Sequence, residues 1–191
     1  IGLSKTTLRK IIEKLQQVYI GPIGFEYGYI RNDEVREWFA KKCEVEYYSY
    51  NPGLDEKKRI LSKLNEAVVF EKFLHTKFLG QKRFSLEGGE NTIPALDTII
   101  NKLAEFDVKE VVIGMAHRGR LNVLSNILGK TYEQIFTEFE GNVNPDLTMG
   151  DGDVKYHLGY ASHMNTPSGK KIYVKLTPNP SHLEAVDPLV I

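Results

Sequence analysis

The stretch that decides the fold lies in the second half of the chain and reads Glu110-Val111-Val112-Ile113-Gly114-Met115-Ala116-His117-Arg118-Gly119-Arg120. As far as Ala116 it is a short apolar run rich in β-branched residues, which is typical of a buried parallel strand. Polar residues follow at once, and a helical pattern follows them. Open α/β sheets bind their ligands at the carboxyl ends of such strands. The stretch therefore predicts an α/β fold and the place of a site.

Helical periodicity is present on both sides of this strand. Apolar residues at helical spacing predict helices over residues 5–19, 34–42, 55–78, 92–104, 121–128 and 131–139, the last opening with a capping box at Thr131 and Gln134. A second apolar strand is predicted over 172–176, and Ser181 with Glu184 is a candidate cap for one more helix. The pattern indicates an N-terminal helical portion, residues 1–80, followed by an α/β domain that begins at residue 81 and runs to 191.

The composition is that of a globular protein. Of the 191 residues, 41% are hydrophobic and 26% are charged. Lysine plus arginine equals aspartate plus glutamate at 25 each, which argues against a dedicated binder of nucleic acid or of anionic membranes. No apolar run approaches the roughly 18 residues of a membrane span. Any anion that the protein binds must therefore be met by a local cluster of charges.

The single cysteine and the two chain ends carry further expectations. Cys43 cannot form an intrachain disulfide or a paired-cysteine zinc site, so a reducing compartment is expected. We expect Cys43 to be a partly buried structural residue near the end of a helix. The chain opens on Ile1 and closes on an apolar run to Ile191, from which we expect it to be a piece of a longer protein.

Three polar segments are the candidates for chemistry, and they cover residues 115–122, 155–159 and 179–184. Three of the five histidines of the chain lie in them, together with two arginines. Imidazoles and guanidinium groups are the side chains that bind a small dianion or a diphosphate and that move a proton near neutral pH. These segments therefore predict an anion-binding site with acid–base capacity.

Each candidate has a structural alternative. Most histidines in folded proteins are satisfied structural side chains, and this interpretation is preferred for His75, on a predicted helix, and for His163, in a predicted polar loop. It is not preferred for His117, because polar groups directly after a buried strand are costly unless they meet water or a ligand. Arg120 is left open between a surface ion pair and a site residue.

Six segments, in register across nearly the whole chain, resemble the decarboxylating, thiamine diphosphate-dependent component of the 2-oxoglutarate dehydrogenase complex. They are residues 21–27, 70–74, 82–89, 114–122, 152–157 and 179–184. The resemblance implies a thiamine diphosphate-binding fold, with a parallel sheet flanked by helices. It also implies that the chain is an incomplete, N-terminal part of the catalytic core.

The resemblance also implies roles for individual residues. In that family the matches to His117 and His157 line the pocket for the 2-oxoacid, and these two are the expected catalytic residues. The match to Arg118 lies beside both thiamine diphosphate and substrate. In some members a serine stands where this chain has Ala161, so one hydrogen bond to substrate would be missing. The remaining implied substrate-binding residues are Ser181, His182 and Leu183.

The implied activity is oxidative decarboxylation of 2-oxoglutarate in the tricarboxylic acid cycle, with transfer of the succinyl group to a lipoyl group of the partner succinyltransferase. Thiamine diphosphate and Mg²⁺ are the implied cofactors, and their main binding residues are expected outside the chain. The isolated chain is therefore expected to be inactive. Gly150-Asp151-Gly152 is similar to the metal-binding motif of thiamine enzymes, but it follows a loop and is interpreted as a chance match, so no metal ligand is predicted.

Other interpretations stay open at this point. A 2-oxoadipate dehydrogenase and a non-oxidative 2-oxoglutarate decarboxylase share the scaffold, and a non-catalytic interaction module is the third alternative. Residues 117–120 are superficially similar to the Arg-His-Gly-x-Arg motif of histidine phosphatases, but the order of arginine and histidine is reversed. Family members are homodimers, found in the bacterial cytoplasm or in the mitochondrial matrix of eukaryotes. Neither a nucleic acid nor a membrane is predicted as a partner.

Overall fold

The computed structural model describes residues 2–47, 50–139, 157–179 and 182–190. The chain forms two compact units that divide after Leu54. The architecture is a mixture of helices and a small sheet, which agrees with the predicted α/β class.

The first unit is helical. It contains α1 (Leu8–Tyr19), α2 (Asp33–Lys41) and a π-helical segment (Lys42–Glu46) that continues α2. The side chain of Asn32 caps α2 by accepting a hydrogen bond from the amide of the third residue beyond it at 3.1 Å. Cys43 lies in the π-helical segment and is buried, as predicted, and burial raises the pKa of its thiol.

The helices of the second unit begin and end close to their predicted positions. They are α3 (Leu54–Lys77), α4 (Thr92–Glu105), α5 (Arg120–Asn126), α6 (Tyr132–Phe139) and α7 (Leu183–Val186), with a 3₁₀ turn (Asp187–Leu189) after α7. The predicted capping box of α6 is confirmed, because Thr131 and Gln134 exchange side chain-to-amide hydrogen bonds at 3.0 and 3.2 Å. None of the described helices combines the length and apolarity that crossing a membrane requires.

Helix α3 contributes to the core of the second unit. Its residues Phe70 and Leu74 are buried there, against side chains from α4, α5 and the sheet. Helix α3 therefore belongs to the same compact unit as the residues that follow it. The boundary at residue 80 concerns the domains of the whole protein and stays a prediction.

The described strands form one three-stranded sheet in the order β1-β3-β2. Strand β1 (Glu110–Ile113) runs parallel to the central strand β3 (Lys171–Leu176), and β2 (Tyr160–Asn165) runs antiparallel to β3. Ile113 lies opposite Leu176, so β1 and β3 end at the same edge of the sheet. The predicted site falls at that edge.

Two features of the sheet differ from the prediction. Strand β1 ends at Ile113 rather than at Ala116, and Val112 is 42% exposed, so the strand is less buried than predicted. Strand β2 was not predicted, since its polar and small residues give no clear alternation. His163, predicted in a loop, lies on β2 with its ring centroid 4.9 Å from that of Tyr173.

Two ion pairs with buried carboxylates link segments of the second unit. Asp97 of α4 is 2% exposed and receives two hydrogen bonds, at 2.7 and 2.8 Å, from the guanidinium of Arg59 on α3. The Lys130 ammonium binds the Glu138 carboxylate at 2.5 Å, and both residues are buried. Breaking such a pair by removing one partner leaves a buried charge uncompensated. The first pair therefore links α3 to α4, and the second links the loop before α6 to that helix.

Truncation of the central strand tests this description of the core. Ile172 is fully buried on β3, and Ile172→Ala should lower the free energy of unfolding by about 2–5 kcal/mol because it leaves a cavity. Ile99→Ala is the matched control, since Ile99 is 53% exposed on α4, and its effect should stay within about 0.5 kcal/mol. Denaturant unfolding measures both values, and equal effects would contradict the assignment of β3 to the core.

Candidate functional site

Close contacts connect the segment that follows β3 to the end of β1. The amide and the hydroxyl of Thr177 both donate to the carbonyl of Ile113, at 3.0 and 3.3 Å. Gly114 follows β1, and a Cβ at this position would lie 2.8 Å from Val186 of α7 and 2.9 Å from Val190. Only glycine allows this approach without displacing its neighbours. The segment that follows β3 is therefore held against the end of β1.

Arg120 is the most deeply buried charged residue of this edge. It has no exposed surface, and its guanidinium donates to three backbone carbonyls, those of Met115 (3.2 Å), Leu158 (2.9 Å) and Thr177 (2.6 Å). A longer contact of 3.5 Å reaches the carbonyl of His157. The interpretation of Arg120 as a surface ion pair is therefore wrong, because the whole side chain lies inside the fold.

The acceptors of Arg120 come from three separate stretches of chain. Met115 lies just after β1, Leu158 just before β2, and Thr177 just after β3. Burial lowers the pKa of Arg120 to about 10, which leaves the guanidinium charged at neutral pH. Carbonyl dipoles stabilise that charge in a region where water does not reach it. Arg120 thus holds together the three segments from which the site is built.

His117 and His157 lie side by side at this edge. Their ring centroids are 6.1 Å apart and their planes differ by 29°. His157 is buried, and its carbonyl accepts the amide of Asn179 at 2.8 Å. His117 is half-buried, with its ring centroid 4.0 Å from that of Phe84. The fold brings together two histidines that are 40 positions apart, and Phe84 is a neighbour that the sequence did not indicate.

Arg118 follows His117 in the chain and is exposed. Its guanidinium donates to the carbonyl of Ser85 at 3.2 Å, and the amide of Gly119 donates to the carbonyl of Phe84 at 2.8 Å. Gly119 has a φ of +75°, and a Cβ there would lie 2.5 Å from Leu86. Glycine is thus required both by conformation and by space. These contacts fasten the segment 84–86 to the turn that carries Arg118.

The remaining predicted site residues belong to the last segment of the chain. Ser181 lies outside the described residues. His182 precedes α7 as its N-cap residue, and Leu183 is the first residue of that helix, half-exposed. Helix α7 packs against Gly114 at the end of β1, on the side chain of Val186. The roles of Ser181, His182 and Leu183 in substrate binding stay predictions.

His75 and the Glu87-Gly88-Gly89 stretch lie outside the candidate site residues, and both have local structural contacts. His75 is exposed on α3 and its Nδ1 accepts a hydrogen bond from Arg83 at 3.0 Å, which agrees with a structural role. The Glu87-Gly88-Gly89 stretch forms a chain reversal, with the amide of Gly89 donating to the carbonyl of Leu86 at 2.8 Å.

The side chains at this edge suit an anion better than a metal ion. Imidazole and guanidinium groups donate hydrogen bonds to carboxylate or phosphate oxygens. In the part of the chain that the structure describes, no group of three His, Cys, Asp or Glu side chains is arranged to hold a metal ion. The Gly-Asp-Gly sequence at 150–152 lies outside the described residues.

Replacement of Arg120 tests its role in holding the edge. A lysine keeps the charge, but its single nitrogen cannot reach the carbonyls of Met115, Leu158 and Thr177 together. Arg120→Lys should therefore destabilise the fold by about 1.5–3 kcal/mol for each charged hydrogen bond lost. Arg9→Lys, at an exposed position on α1, is the control and should leave the unfolding transition unchanged. An Arg120→Lys protein as stable as the wild type would refute this role.

The comparison with known proteins extends over the whole chain. No protein-family model matches it. The chain is 52% identical, over 99% of its length, to the multifunctional 2-oxoglutarate metabolism enzyme of Mycolicibacterium vanbaalenii. The enzyme of the same name from Mycobacterium sp. (strain JLS) is 50% identical over 99% of the chain. The mitochondrial 2-oxoglutarate dehydrogenase of Saccharomyces cerevisiae is 44% identical over 100% of it.

The chain spans only part of each relative. It covers 15% of the length of either mycobacterial enzyme and 19% of the yeast enzyme. Identity of 44–52% along the entire chain nevertheless shows common descent with these proteins. The chain therefore belongs to the 2-oxoglutarate dehydrogenase family, in which it matches a segment of much longer proteins.

Proposed function

We propose that the protein containing this chain is a succinyl-transferring 2-oxoglutarate dehydrogenase and that this chain supplies the part of the active site that binds the substrate. The observation that carries the proposal is the pairing of His117 and His157, 6.1 Å apart, at the carboxyl end of β1. The names of the relatives, which refer to 2-oxoglutarate, support the same substrate.

The two histidines are proposed as the catalytic residues. Imidazole is the side chain whose ordinary pKa lies nearest to neutral pH, so a ring nitrogen can both donate to a keto or carboxylate oxygen and move a proton. His157 is buried, and its backbone carbonyl is held by Asn179 and Arg120, which places the residue at this edge. His117 is more exposed and can meet substrate that enters from solvent.

Arg118 is proposed to supply fixed positive charge. Its guanidinium is exposed, and among the residues that the structure describes it uses the carbonyl of Ser85 as its one acceptor, so other donors of the group can meet a ligand. A guanidinium binds a carboxylate or a phosphate through two parallel hydrogen bonds, which orients the anion as well as attracting it. Arg118 would therefore bind the substrate, the diphosphate of the cofactor, or both.

The cofactors belong to the same proposal. Thiamine diphosphate, when bound, would supply the carbon nucleophile for the keto group and an electron sink for the electron pair that departing carbon dioxide leaves on the substrate carbon. The parallel pairing of β1 and β3 supports a thiamine diphosphate-binding fold. The main ligands of Mg²⁺ and of the diphosphate are proposed to lie outside the chain, so the chain alone should not turn over substrate.

The proposed assembly follows the family. The protein would act as a homodimer and pass the succinyl group to the lipoyl group of a succinyltransferase component. It would work in the cytoplasm of a bacterium or in the mitochondrial matrix of a eukaryote.

The function is tested on the full-length protein. Decarboxylation of 2-oxoglutarate is measured with thiamine diphosphate, Mg²⁺ and an artificial electron acceptor. His117→Ala and His157→Ala should each lower kcat/KM by about 10²- to 10⁴-fold, because general acid–base groups contribute that much. His163→Ala is the matched control, since His163 is exposed on β2 against Tyr173 and should leave the rate unchanged.

The other outcomes of this assay separate the alternatives. A wild type that turns over 2-oxoadipate and ignores 2-oxoglutarate would keep the family and change the substrate. Turnover of 2-oxoglutarate that needs no electron acceptor would indicate a non-oxidative decarboxylase. A wild type inert towards every 2-oxoacid would refute the enzymatic proposal and favour an interaction module.

A further inference from the structure

Glu71 is a buried carboxylate that the proposed chemistry does not use. It lies on α3 and is 7% exposed. Its Oε2 accepts the hydroxyl of Ser85 at 2.7 Å, and its Oε1 accepts the amide of Leu86 and the side-chain amide of Asn122, both at 3.1 Å. All three of these donors are uncharged. Burying a carboxylate is costly, so Glu71 calls for an explanation beyond the packing of α3.

The donors to Glu71 belong to the chain segments that carry Arg118. Ser85 and Leu86 are part of the segment 84–86, whose carbonyls accept the guanidinium of Arg118 and the amide of Gly119. Asn122 lies in the first turn of α5, which begins directly after Gly119. Glu71 therefore binds both sides of the contact between the segment 84–86 and the turn at 118–119.

The segment 84–86 needs such support. It has no regular secondary structure, and Phe84 has a φ of +45°, in the left-handed region that a bulky side chain avoids. A strained backbone persists only where its surroundings fix it. The carboxylate of Glu71 fixes it from the side of α3, and Gly119 fixes it from the side of the site.

Ser85 contacts both Glu71 and Arg118 and so connects the two residues. The hydroxyl of Ser85 donates to Glu71, and the carbonyl of the same residue accepts Arg118 at 3.2 Å. If Ser85 moved, its carbonyl would move with it and the guanidinium would lose its orientation. Only one residue thus separates the buried carboxylate from the exposed cation.

We propose that Glu71 is a positioning residue: it fixes the backbone of 84–86 and thereby aims the guanidinium of Arg118 at the substrate. Glu71 itself does not touch the substrate. This inference rests on the proposed function for one point only, namely that Arg118 binds an anionic group of substrate or cofactor. The hydrogen bonds from Ser85 and Leu86 to Glu71 do not depend on what Arg118 binds.

The first experiment measures amide hydrogen exchange in the full-length protein. Glu71→Gln keeps the shape of the side chain but removes the charge and replaces one acceptor oxygen by a donor. Exchange at the amides of Leu86 and Gly119 should become faster by about 10-fold or more, because these amides depend on the segment that Glu71 holds. Wild-type protection of both amides in Glu71→Gln would overturn the proposal.

The control variant for this experiment lies on the same helix. Glu66 is a half-exposed carboxylate of α3, bound to Lys63 and Ser62, and Glu66→Gln should leave exchange at Leu86 and Gly119 unchanged. Ser85→Ala is the second variant, for use if Glu71→Gln fails to fold. It removes the hydroxyl that reaches Glu71, and it should also speed exchange at Leu86. Wild-type protection in Ser85→Ala would overturn the proposal in that case.

The second experiment is kinetic and uses a double-mutant cycle of Glu71→Gln and Arg118→Ala. Alone, Glu71→Gln should lower kcat/KM for 2-oxoglutarate by roughly 10- to 100-fold, because a misplaced group loses its contact with the substrate. In the Arg118→Ala background it should have little further effect, since the residue through which it acts is gone. Independent, multiplicative losses would overturn the proposal.

The two experiments separate failure of the proposed function from failure of this inference. If the wild type has no activity on 2-oxoglutarate, the proposed function fails, and the exchange data still decide whether Glu71 holds the segment 84–86. If the wild type is active and the exchange or the coupling is absent, the function stands and the positioning role is refuted.

Discussion

The guanidinium of Arg120, buried on backbone carbonyls, is the interaction on which the candidate site depends. A charge with no exposed surface is tolerated only where hydrogen bonds replace its hydration, and here the carbonyls of Met115, Leu158 and Thr177 do so. Because these carbonyls belong to three stretches far apart in the sequence, one side chain determines how the ends of β1 and β3 and the start of β2 meet. His117 and His157 lie within two residues of two of these carbonyls, so their separation follows from the same constraint.

A second layer of polar contacts lies on the other side of the turn at His117–Gly119. There the carboxylate of Glu71 holds the segment 84–86, which in turn contacts Arg118 and Gly119. The buried side chains of Arg120 and Glu71 hold backbone segments in place, whereas His117 is half-buried and Arg118 is exposed. The segments of the site are thus held in large part by residues that are not proposed to bind the ligand.

The sequence was sufficient for features that depend on local order along the chain. Helical periodicity predicted α1 to α6 with ends within about three residues of those observed, and the apolar run before His117 predicted a strand of the parallel kind, which β1 forms with β3. Features that depend on distant contacts were not predictable from one sequence. The burial of Arg120 requires carbonyls up to 57 positions away, and the role of Glu71 requires Asn122, 51 positions away. Strand β2 was missed because pairing with β3, and not alternation within 160–165, makes it a strand.

The most direct test of this account is an experimental structure of the full-length protein with thiamine diphosphate and a non-reactive analogue of 2-oxoglutarate. The account predicts an oxygen of the analogue within about 2.6–3.2 Å of a ring nitrogen of both His117 and His157. It also predicts that the guanidinium of Arg120 stays on the carbonyls of Met115, Leu158 and Thr177. An analogue bound away from this edge of the sheet, or histidine rings turned away from it, would contradict the assignment of the site.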